Sequence, residues 1–236
     1  KLWGTDFCDE SDDFLSSFST AAGDWSSSKC VMSNSDTWEP LALAWLDTQG
    51  STWSSYYVNA SVSSKECYTG ADDDSSCAAV DASAGILVRA YAGGDDDAGL
   101  GGGYYIGLRI WSGSVSIEPD SGCSGSATEV SVAGTITLKS DTSYNLGVAV
   151  DGDTLAVFVD GLYITYYTMA PSCSSGSVAL ASQYAAASFE SIDIFDATLS
   201  VASASLLVAA VATTAATASV TAESTAAAES AATSRD

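Results

Sequence analysis

Acidic side chains are the first candidates for chemistry in this 236-residue chain, which holds 30 acids, seven bases and no histidine. Without histidine, the general base of Ser and Cys hydrolases and the commonest transition-metal ligand are both missing. The formal net charge of −23 also disfavours binding to nucleic acid and to anionic membranes. Catalysis would therefore have to rest on carboxylates, tyrosines or an added cofactor.

Clustered loop carboxylates could bind Ca²⁺, a hard cation that prefers oxygen ligands. They lie in residues 72–74, in residues 95–97, and at Asp151 with Asp153. The best candidates lie in a glycine-rich loop between two predicted central strands; they are Asp95, Asp96 and Asp97. None of these runs has the ligand spacing of an EF-hand, and a solvated acidic loop is the alternative. The sequence thus allows calcium but requires no cofactor.

Glycoside hydrolysis needs two carboxyl groups that face the same sugar. The nearest local pattern is Glu190 with Asp193 in the last predicted strand. Residues three apart on a regular strand point to opposite faces of the sheet. We therefore expect no catalytic residues and no enzyme activity.

Aromatic residues could form a sugar-binding surface, because their rings stack on sugars. The candidates follow or lie within predicted strands, and they are Tyr105, Trp111, Tyr166 and Tyr167. Packing in the core or in an interface is the alternative for all four. Arg89 and Arg109 lie in central strands, where they could pair with acids on one sheet face.

Short runs of β-branched and aromatic residues, separated by Gly, Ser and Asp clusters, fill residues 55–195 and predict an antiparallel two-sheet structure. Asp-Gly pairs at 151–152 and 160–161 favour tight hairpins, so residues 144–168 are predicted to form a three-strand meander. We predict ten strands, at 56–62, 85–91, 104–110, 114–117, 135–138, 144–150, 155–159, 162–168, 177–182 and 188–195.

The six cysteines are even in number and have no CxxC spacing, which predicts disulfides and an oxidising compartment. Fifteen pairings are possible; the most local scheme joins Cys67 to Cys77, Cys8 to Cys30, and Cys123 to Cys173. Asn59-Ala60-Ser61 is an N-glycosylation sequon. The chain starts at Lys1 without a leader, so we expect a secreted or cell-surface protein whose signal peptide has been removed.

Residues 197–236 differ sharply from residues 1–196, since they are almost wholly Ala, Ser, Thr and Val. No charge occurs between Ala197 and Ala222, a length that could cross a bilayer. The high Ser and Thr content makes a membrane span unfavourable. We expect a lectin-like domain at 1–196 and a packing or assembly segment at 197–236, with an O-glycosylated stalk as the alternative.

The meander YNLGVAVDGDTLAVFVDG at 144–161 resembles the closing strands of the concanavalin A-like lectin/glucanase superfamily, as do GSVAL at 176–180 and ASFESIDI at 187–194. Upstream, AGILVRA at 84–90 and YYIGL at 104–108 are similar to its central strands. Laminin-G-like and family-16-glucanase-like modules are the nearest members. The resemblance implies a jelly roll of two antiparallel sheets, a carbohydrate site on the concave face, and an opening strand within 7–25 beside the last strand.

Three functions follow as expectations, because the superfamily includes lectins, glycosidases and structural modules. The first is a secreted non-catalytic lectin-like module with a structural or adhesive role, able to bind carbohydrate. The second is a subunit of an extracellular filament or coat, in which residues 197–236 mediate self-association or contact with other extracellular proteins. The third is a glucanase-type glycoside hydrolase.

Overall fold

The computed structural model describes residues 2–8, 18–46, 53–67, 77, 81–92, 100–120 and 123–196. The predicted calcium ligands Asp95, Asp96 and Asp97 lie outside these residues, and so does the predicted assembly segment 197–236. Fifteen strands and a 3-10 turn at Pro171–Cys173 form the described part. Within it, no helix is long and apolar enough to cross a bilayer.

The strands form two antiparallel sheets, which confirms the predicted all-β sandwich. One sheet has eight strands, ordered β13-β12-β11-β6-β15-β4-β3 with β1 on β15, and the other has seven, ordered β10-β9-β8-β7-β14-β5-β2. The strands are β1 (Trp3–Thr5), β2 (Phe18–Ala22), β3 (Trp25–Ser28), β4 (Val31–Asn34), β5 (Ala42–Leu46), β6 (Ser55–Cys67), β7 (Ser83–Ala92), β8 (Leu100–Arg109), β9 (Ser114–Pro119), β10 (Thr128–Ser131), β11 (Tyr144–Asp151), β12 (Thr154–Val159), β13 (Leu162–Thr168), β14 (Ser177–Gln183) and β15 (Ala185–Asp196).

The alternation of residue types along β6 shows how the sequence makes the sandwich. Tyr56, Val58 and Ala60 are fully buried between the sheets, whereas Tyr57 and Asn59 are half-buried on the outer face. Successive strand residues point to opposite faces, so this alternation fixes which side of β6 is the core side. The buried side chains of both sheets form one apolar cluster.

Two strand predictions are wrong. Residues 135–138 form no strand: the amides of Thr135 and Ile136 donate to the Val132 carbonyl at the end of a turn. The strand that pairs with β9 is β10. The opening strand beside the last one is β1, whose Trp3 pairs with Ile194, rather than a strand within 7–25.

The structure contains the three disulfides of the most local predicted scheme, which are Cys8–Cys30, Cys67–Cys77 and Cys123–Cys173. Each bond restricts the unfolded chain and typically stabilises a fold by about 2–4 kcal/mol. Cys123–Cys173 joins the segment before β10, the edge strand of the seven-stranded sheet, to the turn before β14, an inner strand of the same sheet.

Arg89 differs from its predicted role, because its side chain is fully buried instead of pairing with acids on a sheet face. Its guanidinium donates to the backbone carbonyls of Trp53, Ser54, Gly152 and Ser174. A register shift in β7 and a left-handed φ of +57° turn Arg89 inward. Arg89 therefore fastens three loops at one end of the sandwich.

Candidate functional site

The four predicted sugar-binding aromatics do not share one surface. Tyr105 is buried on the outer face of the seven-stranded sheet, and Trp111 packs against the main core. Tyr167 also points toward the core, where its ring lies 5.7 Å from that of Tyr104. Of the four, Tyr166 is exposed, on the edge strand β13 of the other sheet. Strand alternation separates them, since neighbouring residues point to opposite faces.

The expectation that Glu190 and Asp193 face opposite sides is wrong. The register between β15 and β6 shifts at Glu190, which places this residue beside Ser191 on the outer face. Glu190 Oε2 accepts hydrogen bonds from Ser61 Oγ at 3.1 Å and Ser143 Oγ at 3.3 Å. Such an exposed carboxylate bound to serines is typical of a surface strand.

Asp151 and Asp153 lie in the described β11–β12 hairpin, where Asp151 Oδ1 accepts from Ser55 Oγ at 2.8 Å. Asp153 Oδ1 accepts from the neighbouring Thr154 hydroxyl at 3.3 Å. In the described ranges, no group of three or more His, Cys, Asp or Glu residues is placed to hold a metal ion. The other predicted calcium ligands, in residues 72–74 and 95–97, lie outside the described residues, so calcium binding there stays a prediction.

A cluster of charged side chains lies at the β8–β10 end of the seven-stranded sheet, on its outer face. Arg109 of β8 donates to Asp81, Glu118 and Glu129, each at 2.9 Å. Antiparallel register brings these side chains together, because Glu129 lies opposite Ser116 and Glu118 lies opposite Tyr105. The prediction that Arg109 pairs with acids on one sheet face is confirmed by these contacts.

Part of this cluster lines an open pocket of about 200 Å³, which we call the Arg109 cavity. Its wall is lined by Arg109, Ser116, Glu118, Ala127, Thr128 and Glu129. Arg109 Nε and Ser116 Oγ are buried and have no hydrogen-bond partner. Buried polar atoms are almost always paired in native proteins, so two orphans beside one cavity indicate a place for a polar ligand or water.

Further hydrogen bonds hold the cavity wall in place. Gln183 Nε2 donates to Glu118 Oε2 at 3.4 Å, Gln183 Oε1 accepts from Ser83 Oγ at 3.3 Å, and Ser83 Oγ lies 2.9 Å from Tyr105 Oη. Ser114 Oγ donates to Glu129 on the other side. Burial raises the pKa of Tyr105, so its hydroxyl stays protonated at neutral pH. The Arg109 cavity is thus built into a network before any ligand binds.

The charges and hydrogen-bonding groups of the cavity limit the kinds of ligand that it can bind. Three carboxylates surround one guanidinium, which leaves an excess of negative charge that disfavours anions. Arg109 Nε–H needs an acceptor, the carboxylates accept hydrogen bonds, and Ser116 Oγ can do either. A hydroxyl group both donates and accepts, so neighbouring hydroxyls on one ligand can satisfy all of these atoms.

The middle of the same outer face is apolar and buried. Leu43, Leu87, Ala179 and Ala181 are at most 1% exposed there, with Trp45 packed against them. The Arg109 cavity lies beside this cluster, two strands away from β14. The polar end of the sheet, and not its middle, is therefore the accessible part of this face for a small ligand.

The outer face of the eight-stranded sheet carries a row of aromatic side chains, Phe195, Tyr57, Phe158 and Tyr163. Successive ring centroids lie 6.3, 6.4 and 5.8 Å apart. Tyr57 reaches Phe158 across Gly147, the β11 residue between them.

The sequon residue Asn59 lies on the same outer face, half-buried opposite Gly147 and Asp193. The Arg109 cavity is on the other sheet, so a glycan attached to Asn59 would leave it uncovered.

Comparison with known proteins identifies the fold. No protein-family model matches the chain, and no curated protein matches it by sequence. Among solved structures it is similar to the carbohydrate-binding module CBM66 from Bacillus subtilis, with a TM-score of 0.57, 14% identity, and coverage of 76% of this chain and 96% of the other. The chain is also similar to the carbohydrate recognition domain of Emp46p in its metal-free form, with a TM-score of 0.56 and 12% identity. The match covers 81% of this chain and 94% of the other.

The chain has a lectin-like jelly-roll fold. An enzyme with the same fold, apo Crh5 transglycosylase, gives a TM-score of 0.54, 9% identity, and coverage of 82% of this chain and 83% of the other. Binding modules and enzymes thus share this fold, so the fold alone does not decide between them. The general concanavalin A-like resemblance agrees with these structures, whereas the laminin-G-like or glucanase-like kinship stays a prediction.

Proposed function

We propose that this chain is a non-catalytic carbohydrate-binding module that recognises one sugar unit in the Arg109 cavity. The observation that carries the proposal is the pair of buried, unpartnered polar atoms, Arg109 Nε and Ser116 Oγ, between Glu118 and Glu129. The similar solved structures support it, since one is a carbohydrate-binding module and another is a carbohydrate recognition domain.

The size of the cavity favours a single sugar unit over a chain. Its volume is about 200 Å³. A terminal monosaccharide can fill such a space with one face, while the rest of a glycan extends into solvent. Adjacent hydroxyls would accept from Arg109 Nε and donate to Glu118 or Glu129, while Ser116 Oγ bonds a neighbouring oxygen.

Binding fits these carboxylates better than hydrolysis does. A glycosidase uses one carboxyl group as a proton donor and a second one as a base or nucleophile. Here Glu118 and Glu129 both accept hydrogen bonds from the same guanidinium, and each has a further donor, Gln183 or Ser114. Both are therefore engaged as acceptors that orient a ligand. The three disulfides support an extracellular setting.

The test is a glycan array with the full chain, followed by calorimetric titration of the best ligand. Ser116→Ala removes one orphan hydroxyl, and Arg109→Lys keeps the charge but removes Nε and the planar fork. Ser26→Ala, on the exposed outer face of β3, is the matched control. We expect each cavity variant to weaken binding about tenfold or more and the control to bind like wild type. Unchanged affinity in both cavity variants, or no bound glycan, would refute the site.

A further inference from the structure

The charged side chains around the Arg109 cavity differ in exposure according to their sign. The side chain of Arg109 is 13% exposed, whereas that of Glu118 is 23% and that of Glu129 is 45% exposed. Both glutamates line the cavity, and Asp81, which is 58% exposed, pairs with the same guanidinium without being a lining residue. A ligand that arrives from solvent therefore meets carboxylates before it meets the guanidinium.

The charges of this cluster do not cancel. Three carboxylates and one guanidinium leave a formal charge of −2. Within the described ranges, no Lys or Arg other than Arg109 lies at ion-pair distance from Asp81, Glu118 or Glu129. Carboxylates that are partly removed from water are stabilised by an opposite charge nearby. The cluster therefore favours a ligand that carries a positive charge.

We infer that the Arg109 cavity binds an amino sugar, a sugar unit in which a protonated amine replaces one hydroxyl; the inference rests on the proposed function. An ammonium group has three donors and no acceptor, so it suits the carboxylates of Glu118 and Glu129. Such charge-assisted hydrogen bonds are about twice as strong as those from a neutral hydroxyl. The remaining hydroxyls of the sugar would bond to Arg109 Nε and Ser116 Oγ, which are buried without partners.

These two unpartnered atoms distinguish an amino sugar from other cations. Ser116 is 1% exposed, so its hydroxyl bonds only to a ligand that enters the cavity. A simple alkylamine supplies the positive charge but no acceptor for Arg109 Nε–H, and a neutral sugar supplies hydroxyls but no charge. Sugars that carry carboxylate or sulfate groups bring like charge toward Glu118 and Glu129. An amino sugar meets both requirements.

Calorimetric titration of the full chain with matched methyl glycosides tests the inference. The probes are the methyl glycosides of glucosamine and galactosamine, each beside that of glucose or galactose, which has a hydroxyl in place of the amine. Propylamine is the probe for charge without a sugar. In about 50 mM NaCl, we expect at least one amino glycoside to bind about tenfold more tightly than its neutral counterpart. The advantage should shrink in about 500 mM NaCl, because salt screens the attraction between the ammonium and the carboxylates.

Two variants locate the source of this advantage. Glu129→Gln removes one negative charge from the cavity wall with little change in size, and we expect it to reduce the advantage by about fivefold or more. Asp141→Asn is the matched control, since it removes the same charge at an exposed turn residue outside the cavity and should leave the advantage unchanged. If Glu129→Gln fails to fold by circular dichroism, Glu118→Gln takes its place with the same expected reduction.

Equal affinity for amino and neutral glycosides overturns this inference and leaves the sugar site standing. An advantage that Glu129→Gln leaves unchanged also overturns it, because the amine would then bind elsewhere. Propylamine that binds as tightly as the amino glycosides overturns both proposals, since the cavity would then be a simple cation site. If none of the glycosides binds, the inference is again overturned, and the glycan array alone decides the sugar site.

Discussion

Arg109 and Ser116 lie on neighbouring strands, both line the Arg109 cavity, and each has a buried polar atom without a hydrogen-bond partner. Arg109 already donates to three carboxylates, which fix the guanidinium while Nε–H remains unpaired. Leaving such atoms unpaired typically costs about 1–3 kcal/mol each. A hydroxyl-rich ligand recovers that free energy, which is the physical basis of the proposed sugar site.

Arg89 is predicted to be the most sensitive buried polar residue of the sandwich. Arg89→Met keeps much of the side-chain volume but removes the donors to four backbone carbonyls, two of them at 2.7 and 2.6 Å. We expect the free energy of unfolding to fall by about 3 kcal/mol or more, since several acceptors lose their partners at once. Urea denaturation measures it, with Lys139→Met at an exposed position as the control.

A loss below about 0.5 kcal/mol, the range usual for surface substitutions, would show that water replaces the guanidinium at no cost. The buried setting of Arg89 also lowers its pKa, through desolvation. Its guanidinium donates to the backbone carbonyls of three loops, so Arg89 fastens these loops together.

Gly147 is predicted to be required by the aromatic row. A Cβ added at Gly147 would lie 2.4 Å from Tyr57 Oη, so Gly147→Ala forces the tyrosine ring to move. We expect a loss of about 1 kcal/mol or more in the free energy of unfolding. In a Tyr57→Phe background the same change meets only ring carbons, at 3.1 and 3.3 Å, so we expect a smaller loss. Equal losses in both backgrounds would contradict this contact.

Tyr56 is predicted to make the fold sensitive to high pH. Burial raises its pKa from 10.0 to about 12, outweighing the stabilisation of the phenolate by the Arg89 amide. The folded state thus holds the proton more tightly than the unfolded state. The associated stability, on the order of 3 kcal/mol for two pKa units, is complete below pH 10 and is lost as the pH rises from 10 to 12. Tyr105 shifts in the same direction.

Urea denaturation between pH 8 and pH 12 measures this dependence. Tyr56→Phe should show a shallower loss of stability in the same range. If wild type and variant fall in parallel, the loss at high pH belongs to other groups.

The sequence predicts the meander best, because its signals are local. Asp-Gly pairs fix the two hairpins, and alternating residues fix the buried faces of β11 and β12. The first fifty residues lack such alternation, and there β1 and β3 are short strands that depend on pairing with β15 and β4. Segment 135–138 contains β-branched residues, but its backbone bonds to Val132 in a turn.

The candidate site was only partly predictable, for a related reason. Arg109 is one of only seven bases, so the sequence identifies it as a candidate. Ser116 is one of many serines, and its residue type alone does not distinguish it. The signal for it was the alternation of Ser114, Ser116 and Glu118 with buried Val115 and Ile117, which places these polar residues on the outer face. Their proximity to Glu129 depends on the pairing of β9 with β10, a strand that local sequence does not reveal.

The most direct test of the sugar site is a nuclear magnetic resonance titration of the ¹⁵N-labelled full chain with the best glycan from the array. The account predicts that the amides that shift most belong to residues 105–118 and 127–129, around the Arg109 cavity. It also predicts that Ser116→Ala greatly reduces these shifts at equal ligand concentration. Shifts centred on Tyr57, Phe158 and Phe195 would place the glycan on the opposite sheet and contradict the account.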